Sequence, residues 1–479
     1  MHPKPRIFGP RRSAVAAAAV AATLLLAGCS AGVDPLLESG AARGGTSGTD
    51  SAESAPEEQA PASPITSVTD TMLGWITTDD PTGLDPAAIN ALATPELDQQ
   101  LAQLGGLLGP VAQILASGPV EVGERSETGL ESTTMLSTGR GAPITLRLRA
   151  TPIGQLSGIQ ALPSDTGVDS FDAADSALES LGATTSFVAS RVTAGQCTPV
   201  HELNADQSLP LASVAKLYVL GAVARAVGNG TASWDEQLTV TDALKSAPSG
   251  QLQFAPEGTP VTIREAAEAM VAISDNTATD LLIDRIGRDA VENEVFNMGN
   301  ADPARLIPFI TTREFFILGW GRPDLRDQWR DADTQTRRTI LANIADRTID
   351  SNPTDPAATN LDYDGLVTRP GGPDDVEWFG SANDICRAYA ALTVGPQSDT
   401  VRQILALNPG ADVDPVRWPY VGFKSGNAAG DVVGSWLLTD PSGQDWVVAT
   451  QLQSGDPIGP LDNAYAFGVA TDTFDLLGQ

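Results

Sequence analysis

Apolar residues recur at helical spacing in the first part of the chain and later change to strict alternation. Val68, Met72, Trp75 and Ile76 recur at the spacing that places side chains on one helix face. Leu97, Leu101, Leu104 and Leu108 do the same, at gaps of three or four positions. After Gly118 the alternation is clearest in Ile144–Arg149, which predicts a half-exposed strand. We therefore predict a small α+β domain over residues 65–165.

The pattern restarts near Val168 and predicts a larger domain over residues 166–479. Its predicted helices are Phe171–Leu181, one following Ser213, Thr262–Ser274 and Tyr465–Leu477, and its predicted strands are Ser186–Val192, Val421–Ser425, Val432–Thr439 and Trp446–Leu452. The polar segment Gly321–Asp374 is interpreted as an insertion around one or two helices. This order predicts an α+β fold, in which an antiparallel sheet carries helices on its faces.

The N-terminus predicts export and lipid anchoring. A basic start precedes the apolar run Ala14–Leu26, which is short for a transmembrane span, and then Leu26-Ala-Gly-Cys29. This ending resembles the lipobox of bacterial lipoproteins, which implies removal of residues 1–28 and a lipidated Cys29 on the outer face of the cell membrane. The alternative is an ordinary secretory signal. Residues 29–64, rich in Gly, Ser, Ala, Thr, Pro and acid, predict a disordered acidic tether.

Charge and rare residues exclude several classes of function. The formal net charge of −31 leaves no basic stripe for phosphates, so we expect no nucleic-acid partner. Apart from His2, the only histidine is His201, which excludes a multi-histidine metal site and which we interpret as structural. We expect no metal and no cofactor. Cys197 and Cys386 suggest a disulfide in an exported chain, although sequence alone cannot bring the two sulfurs together.

Ser213 and Lys216 are three residues apart at the predicted start of a buried helix. Positions i and i+3 share a helix face, so the hydroxyl and the amine can come within hydrogen-bond reach. A partly desolvated lysine can take the serine proton and so activate the oxygen as a nucleophile. The chain has only four lysines, Lys4, Lys216, Lys245 and Lys424, and arginine supplies its remaining positive charge. Lysine at this position is therefore informative.

Two further motifs follow in a fixed order. Ser274-Asp-Asn276 lies between two predicted helices, and Lys424-Ser-Gly426 opens a predicted strand pair. Together with Ser213-x-x-Lys216 and the runs Ser249–Gln253 and Gly258–Glu265, these motifs resemble the serine β-lactamase and penicillin-binding protein superfamily. The resemblance covers nearly all of the second domain and implies a class A β-lactamase-like catalytic domain.

The resemblance implies a role for each motif residue. Ser213 would be the acyl-accepting nucleophile, Lys216 its base, and Ser274 the relay that passes the proton to the leaving group. Lys424 would supply a positive field that lowers the pKa of Lys216 and attracts a substrate carboxylate, to which Ser425 would donate a hydrogen bond.

The same resemblance implies the groups that hold the substrate. Asn276 would hold Lys216 and a substrate amide. The backbone N–H groups of Ser213 and Asn427 would form the oxyanion hole, because N–H groups beyond Gly426 on a strand edge are free to point at a ligand.

The sequence departs from class A enzymes where those enzymes carry the deacylating glutamate, within a Glu-x-x-x-Asn pattern. In the corresponding region Glu314 is the nearest acid, Leu318 stands at the position of the asparagine, and Thr312-Arg-Glu predicts the start of a helix. We therefore expect no dedicated deacylating base and slow turnover of β-lactams.

The two-domain plan more narrowly resembles β-lactamase-like proteins of actinobacteria, among them lipoproteins and proteins of clavulanic-acid gene clusters. Their N-terminal domain is similar to the steroid-isomerase (NTF2-like) or cystatin-like fold, and the resemblance implies esterase-type activity.

These features together predict an exported, lipid-anchored serine hydrolase that forms an acyl-serine from an ester or amide. The substrate would be a small molecule, β-lactam-like or derived from peptidoglycan, and we expect a monomer that contacts the membrane only through its lipid. The alternatives are a true class A-type β-lactamase, a penicillin-recognising D,D-peptidase and a non-catalytic envelope lipoprotein that binds a ligand.

Overall fold

The computed structural model describes residues 63–101, 106–164, 166–346, 361–370, 375–411 and 413–478. The predicted signal peptide, Cys29 and nearly all of the predicted tether lie outside these residues. Within the described ranges, every helix is too short or too polar to cross a membrane.

The N-terminal region, residues 63–163, packs helices on one antiparallel sheet. Its helices are α1 Pro64–Ile76, α2 Pro86–Leu92, α3 Pro95–Gln100 and α4 Leu108–Ala116. Its four strands pair in chain order as β1 Glu121–Thr128, β2 Glu131–Ser137, β3 Pro143–Ala150 and β4 Leu156–Pro163. The predicted alternation is present, because Ile144, Leu146 and Leu148 of β3 are all buried against the helices. The steroid-isomerase or cystatin-like assignment of this region stays a prediction.

One helix expected in this region is divided. The spacing of Leu97, Leu101, Leu104 and Leu108 predicted a continuous helix, but α3 ends at Gln100 and α4 begins at Leu108. Gly106 has a φ of +77°, which L-residues rarely adopt and which a helix cannot contain. Leu104 itself lies outside the described residues.

The C-terminal region, residues 166–478, is built on a five-stranded antiparallel sheet. Its strands are β5 Thr184–Thr193, β6 Gln196–Leu203, β11 Tyr420–Ala428, β12 Asp431–Thr439 and β13 Asp445–Gln453. They lie in the order β11-β12-β13-β5-β6, so that β11 is an edge strand. Two short pairs lie outside this sheet, β7 Leu209–Pro210 with β10 Phe379–Gly380 and β8 Gln237–Thr239 with β9 Pro260–Thr262. The three predicted C-terminal strands, now β11, β12 and β13, therefore pair antiparallel in chain order.

Helices cover both faces of this sheet. On β5, Phe187 and Ala189 face a core shared with α5 Phe171–Glu179 and α16 Pro460–Asp472, whereas Val188 faces the core of the buried helix α6 Lys216–Gly228. The remaining helices are α7 Ile263–Ala272, α8 Asn276–Ile286, α9 Arg288–Asn297, α10 Thr312–Phe316, α11 Pro323–Arg330, α12 Thr334–Asp346, α13 Tyr363–Thr368, α14 Ala382–Val394 and α15 Ser398–Leu405.

Local signals explain several boundaries. Thr262 and Glu265 form a capping box at the start of α7. The segment expected to hold one or two helices contains three in its described part, α11, α12 and α13. The final helix begins earlier than predicted, at Pro460, because proline is favoured at a helix start, and it passes into a 3₁₀ turn at Thr473–Leu476.

Cys197 and Cys386 form a disulfide that joins β6 to α14, with their Cα atoms 6.3 Å apart. The bond closes a loop of 189 residues by sequence separation, so it crosslinks the sheet to a helix on its face.

Candidate active site

Ser213 lies on a short turn that enters the buried helix. A 3₁₀ turn spans Ala212–Ala215 and leads directly into α6. The turn is held by Leu211, whose N–H donates to the carbonyl of Trp378 at 2.7 Å, and Ala212 adopts a left-handed φ of +44°. Ser213 is half-buried and lines a cleft, so its hydroxyl is presented to a ligand while the rest of the turn is packed.

Lys216 lies under this turn with its amine in a polar pocket. Its Nζ donates to the carbonyl oxygen of Ser274 at 2.6 Å, to Ser274 Oγ at 3.1 Å and to Asn276 Oδ1 at 2.7 Å. Burial lowers the pKa of Lys216 to about 7, against the opposing attraction of Asp275 and Asp280. A neutral amine is therefore well populated near neutral pH and can accept a proton.

Ser274 bridges the two lysines of the site. Its Oγ accepts from Lys216 Nζ and from Lys424 Nζ, each at 3.1 Å, and its backbone has a left-handed φ of +56°. Lys424 also donates to the carbonyl of Ser425 at 2.6 Å. Burial, together with the positive charge of Lys216, lowers the pKa of Lys424 well below its usual range. Burial, rather than Lys424, is the main cause of the low pKa of Lys216.

Asp275 fixes the start of α8 and therefore the position of Asn276. Its Oδ1 accepts from the N–H of Ala278 at 2.9 Å, as a helix cap does. Its Oδ2 accepts from the N–H groups of Gln251 and Leu252 at 2.7 and 2.9 Å, which ties the preceding loop to the helix. A Cβ on Gly250 would lie 2.2 Å from the Asp275 carboxyl carbon.

Gly426 lets the edge strand approach the Ser213 turn. A Cβ at this position would lie 2.6 Å from the Ser213 nitrogen and 2.7 Å from the Leu211 carbonyl oxygen, so every other residue would push the strand away. β11 has no partner on its outer side in the described sheet, and Asn427 and Ser425 line the cleft. The predicted oxyanion groups of Ser213 and Asn427 therefore come from two backbone segments that this glycine brings together.

The cleft encloses about 1150 Å³ of space, part of it open to solvent. Beyond the predicted residues, much of its lining is aromatic and aliphatic, a feature that the motifs did not reveal. This apolar side of the cleft consists of Phe315, Phe316, Trp320, Leu366 and Trp378. Phe315, Phe316 and Trp320 are near neighbours in sequence, but Leu366 and Trp378 come from distant segments, so no local pattern indicated the set. Aromatic residues are only 5% of the chain, and four of them meet here.

Glu314 does not lie in the cleft. It forms a capping box with Thr311 at the start of α10, as the sequence indicated for that helix, and pairs with Arg288 at 2.7 Å. Leu318 is fully buried in the core. Among the described residues that line the cleft, and those that line a small apolar cavity shared by Ser213 and Lys216, none is acidic. The described lining of the cleft and of this cavity thus holds no carboxylate placed to activate a water.

Thr312 and Asp280 support this side of the site. Thr312 Oγ lies 3.1 Å from the Asn276 carbonyl oxygen and 2.8 Å from Asp280 Oδ1, while the N–H groups of Thr312 and Arg313 donate to Asp280 at 2.8 and 2.9 Å. Burial raises the pKa of Asp280 to about 7. The sequence reasoning missed both residues, because single threonines and aspartates carry no recognisable pattern.

His201 has a packing role in the structure. Its Nε2 lies 2.9 Å from Asp175 Oδ2, and its ring stacks on Phe171 with centroids 4.8 Å apart. In the described residues no three His, Cys, Asp or Glu side chains are grouped so that they could hold a metal ion.

Three features together define the active site of β-lactamase-like serine hydrolases. They are a serine near a lysine of low pKa, a second serine between two lysines, and an edge strand that a glycine allows to approach the first serine. Residues 172–312 match the model of the β-lactamase enzyme family. This segment belongs to the serine β-lactamase and penicillin-binding protein superfamily, and residues 166–478 have a β-lactamase-like α+β fold.

Several solved structures are similar to the chain. The β-lactamase from Sphaerobacter thermophilus is 22% identical over 64% of this chain and 97% of that chain, with a TM-score of 0.42. The structure of PBP-A is 20% identical over 61% and 91%, with a TM-score of 0.39. A class A β-lactamase from Mycobacterium abscessus is 16% identical over 64% and 99%, with a TM-score of 0.44. No curated protein matches the sequence significantly.

Proposed function

We propose that this protein is a serine hydrolase that forms an acyl-enzyme on Ser213 quickly and hydrolyses it slowly. The observation that carries the proposal is the buried network in which Lys216 Nζ contacts Ser274 Oγ and Asn276 Oδ1, while Lys216 lines one small cavity together with the half-buried Ser213. Burying Lys216 so that its pKa falls to about 7 costs stability. A role as the base in catalysis is a chemical reason for keeping the lysine buried.

Acylation uses the groups on the polar side of the cleft. Neutral Lys216 takes the proton from Ser213 Oγ, which attacks the carbonyl carbon of an ester or amide. The N–H groups of Ser213 and Asn427 hold the oxyanion of the tetrahedral intermediate. When this intermediate collapses, the bond to the leaving group breaks, and the proton passes from Lys216 through Ser274 Oγ to the leaving oxygen or nitrogen.

Deacylation lacks an equivalent group. Glu314, the nearest acid in sequence terms, is held by Arg288, and the lining near Ser213 on that side is carbon. Water attack on the acyl-Ser213 ester must therefore use Lys216 alone, which supports the slow turnover of β-lactams that we propose. The protein would act outside the cytoplasmic membrane, tethered through Cys29, on β-lactam-like, ester or cell-wall-derived substrates.

Intact-protein mass spectrometry of a soluble form, followed over time with a penicillin, tests the proposal. We expect a persistent adduct on the wild type and no adduct on Ser213→Ala. An adduct that clears within seconds would instead make the protein a true β-lactamase. If no adduct forms and ester hydrolysis is also absent, the protein is a binding lipoprotein and the proposal fails.

A further inference from the structure

Part of the cleft lining comes from the loop between β13 and α16. This loop segment, Pro457–Pro460, is called the C-terminal wall here, and it lines the cleft together with Ser213 and the aromatic residues. Among the described residues of the N-terminal region, Ala116, at the end of α4, joins them. The cleft is therefore completed by a region that carries none of the motifs.

Arg140, in the β2–β3 hairpin, fastens this wall to the N-terminal region. Its guanidinium lies within hydrogen-bond distance of Ser454 Oγ at 2.9 Å, of the Asp456 carbonyl at 3.1 Å and of the Pro457 carbonyl at 3.0 Å. Those three contacts involve Nη2, whereas Nη1 of Arg140 donates to the Leu181 carbonyl at 3.1 Å. The planar fork of an arginine suits several fixed acceptors, so one side chain sets the path of the loop.

A second set of contacts fixes the other end of the wall. Ser117 Oγ accepts from the N–H of Leu461 at 3.0 Å, and Leu461 is buried in the core of the N-terminal region. A Cβ at Gly459 would lie 2.2 Å from the Ser117 Cα, so the two backbones are in direct contact. Thr138 also donates to the Asp462 carboxylate.

The chemistry of the lining indicates what the cleft accepts. None of its described lining residues is acidic or basic, and the aromatic residues and the C-terminal wall present mainly carbon. Lys216 and Lys424 are buried and bound to Ser274. A charge on this apolar side of the cleft would lose its hydration without gaining a partner, whereas a large apolar group there would gain by leaving water.

From these contacts we infer that the N-terminal region is a specificity element of the hydrolase: through Arg140 and Ser117 it holds the C-terminal wall, so that the apolar side of the cleft selects a large, uncharged chain on the acyl group. Arg140 is a positioning residue, since it touches the wall and not the substrate. This inference rests on the proposed acyl-Ser213 chemistry.

Three p-nitrophenyl esters test it: the acetate, the octanoate, and the matching ester whose chain ends in a carboxylate. We expect wild type to prefer octanoate over both others by on the order of tenfold in kcat/KM. Arg140→Ala should raise KM for octanoate and bring the octanoate-to-acetate ratio close to one. Arg149→Ala is the matched control, because Arg149 is on the same sheet and pairs only with Glu131 on the surface. It should leave the ratio unchanged.

Ala116→Trp is the second variant, because Arg140→Ala can unfold the loop. Ala116 is exposed in the cleft, so tryptophan fills space there without entering the core. It should lower kcat/KM for octanoate on the order of tenfold more than for acetate. The inference is overturned if both variants keep the wild-type ratio, or if the wild type accepts the carboxylate-bearing chain equally well. If Ser213→Ala hydrolyses acetate like the wild type, the proposed function fails instead.

Discussion

The two sides of Ser213 differ in almost every physical property. On one side Lys216, Ser274, Asn276 and Lys424 form a buried, hydrogen-bonded network. On the other side the apolar residues line the cleft, and none of the described lining residues is acidic. In the function that we propose, the polar side supplies the groups for acylation, and the apolar side lacks a group for fast deacylation. The difference separates two half-reactions that a fast hydrolase must both perform.

The largest effect should follow loss of the base on the polar side. Lys216→Ala removes the group that takes the serine proton, and we expect the rate of acylation by a penicillin or a p-nitrophenyl ester to fall by on the order of a thousandfold. Stopped-flow or time-resolved mass spectrometry measures this rate. Lys245→Ala is the matched control, because Lys245 pairs with Asp242 away from the cleft. A comparable loss in both variants would contradict the assignment.

The polar side should also set the pH dependence of acylation. Because burial lowers the pKa of Lys216 to about 7, the amine is protonated and inactive as a base below that pH. The acylation rate should therefore rise about tenfold per pH unit up to about pH 7 and then level off. A rise that continues to pH 10 would show that the lysine keeps its ordinary pKa.

A carboxylate on the apolar side should speed deacylation and so reduce the difference in rate between the two half-reactions. Phe316 lines the cleft and is only half-buried, so Phe316→Glu places an acid there at modest cost in packing. We expect the acyl-enzyme to be hydrolysed on the order of tenfold faster, because the carboxylate can accept a proton from water. Phe316→Gln has the same size without the charge and should show no acceleration. Equal deacylation by the two variants would refute this explanation of slow turnover.

The smallest expected effect concerns two acids buried behind the Ser213 turn. Burial raises the pKa of Asp431 to about 7. Burial, and after it the charge of Asp431, also raises the pKa of Glu377, whose carboxylate accepts from the N–H of Trp378 at 2.8 Å. The folded protein then holds the Asp431 proton more tightly than the unfolded chain does. The free energy of unfolding should fall from about pH 4 to about pH 7, by at most about 1.4 kcal/mol per pH unit from this group.

Asp431→Asn should remove that part of the pH dependence. Chemical denaturation at pH 5 and pH 8 measures it, and the variant should lose less stability between these two values than the wild type. The same slope in both proteins would show that Asp431 is ionised throughout. Ser442→Ala, on an exposed turn, provides a baseline for substitution effects.

The polar side could be predicted because its residues come in short motifs. Ser213 lies on the 3₁₀ turn that leads into Lys216, the first residue of α6. Asp275 and Gly426 have local roles: Asp275 caps α8, and Gly426 leaves room for the turn. The apolar side could not be predicted, because Phe315, Leu366 and Trp378 reach the cleft from separate helices and loops.

The sequence by itself determined the α+β class, the positions of the three C-terminal strands and the identity of the motif residues, since periodicity and short motifs involve only a few neighbouring positions. Only the tertiary structure decided that Glu314 pairs with Arg288 rather than facing Ser213. It also decided that Arg140, 314 residues before Ser454, fastens a wall of the cleft. Contacts between distant segments depend on how the whole chain packs, and no local pattern encodes them.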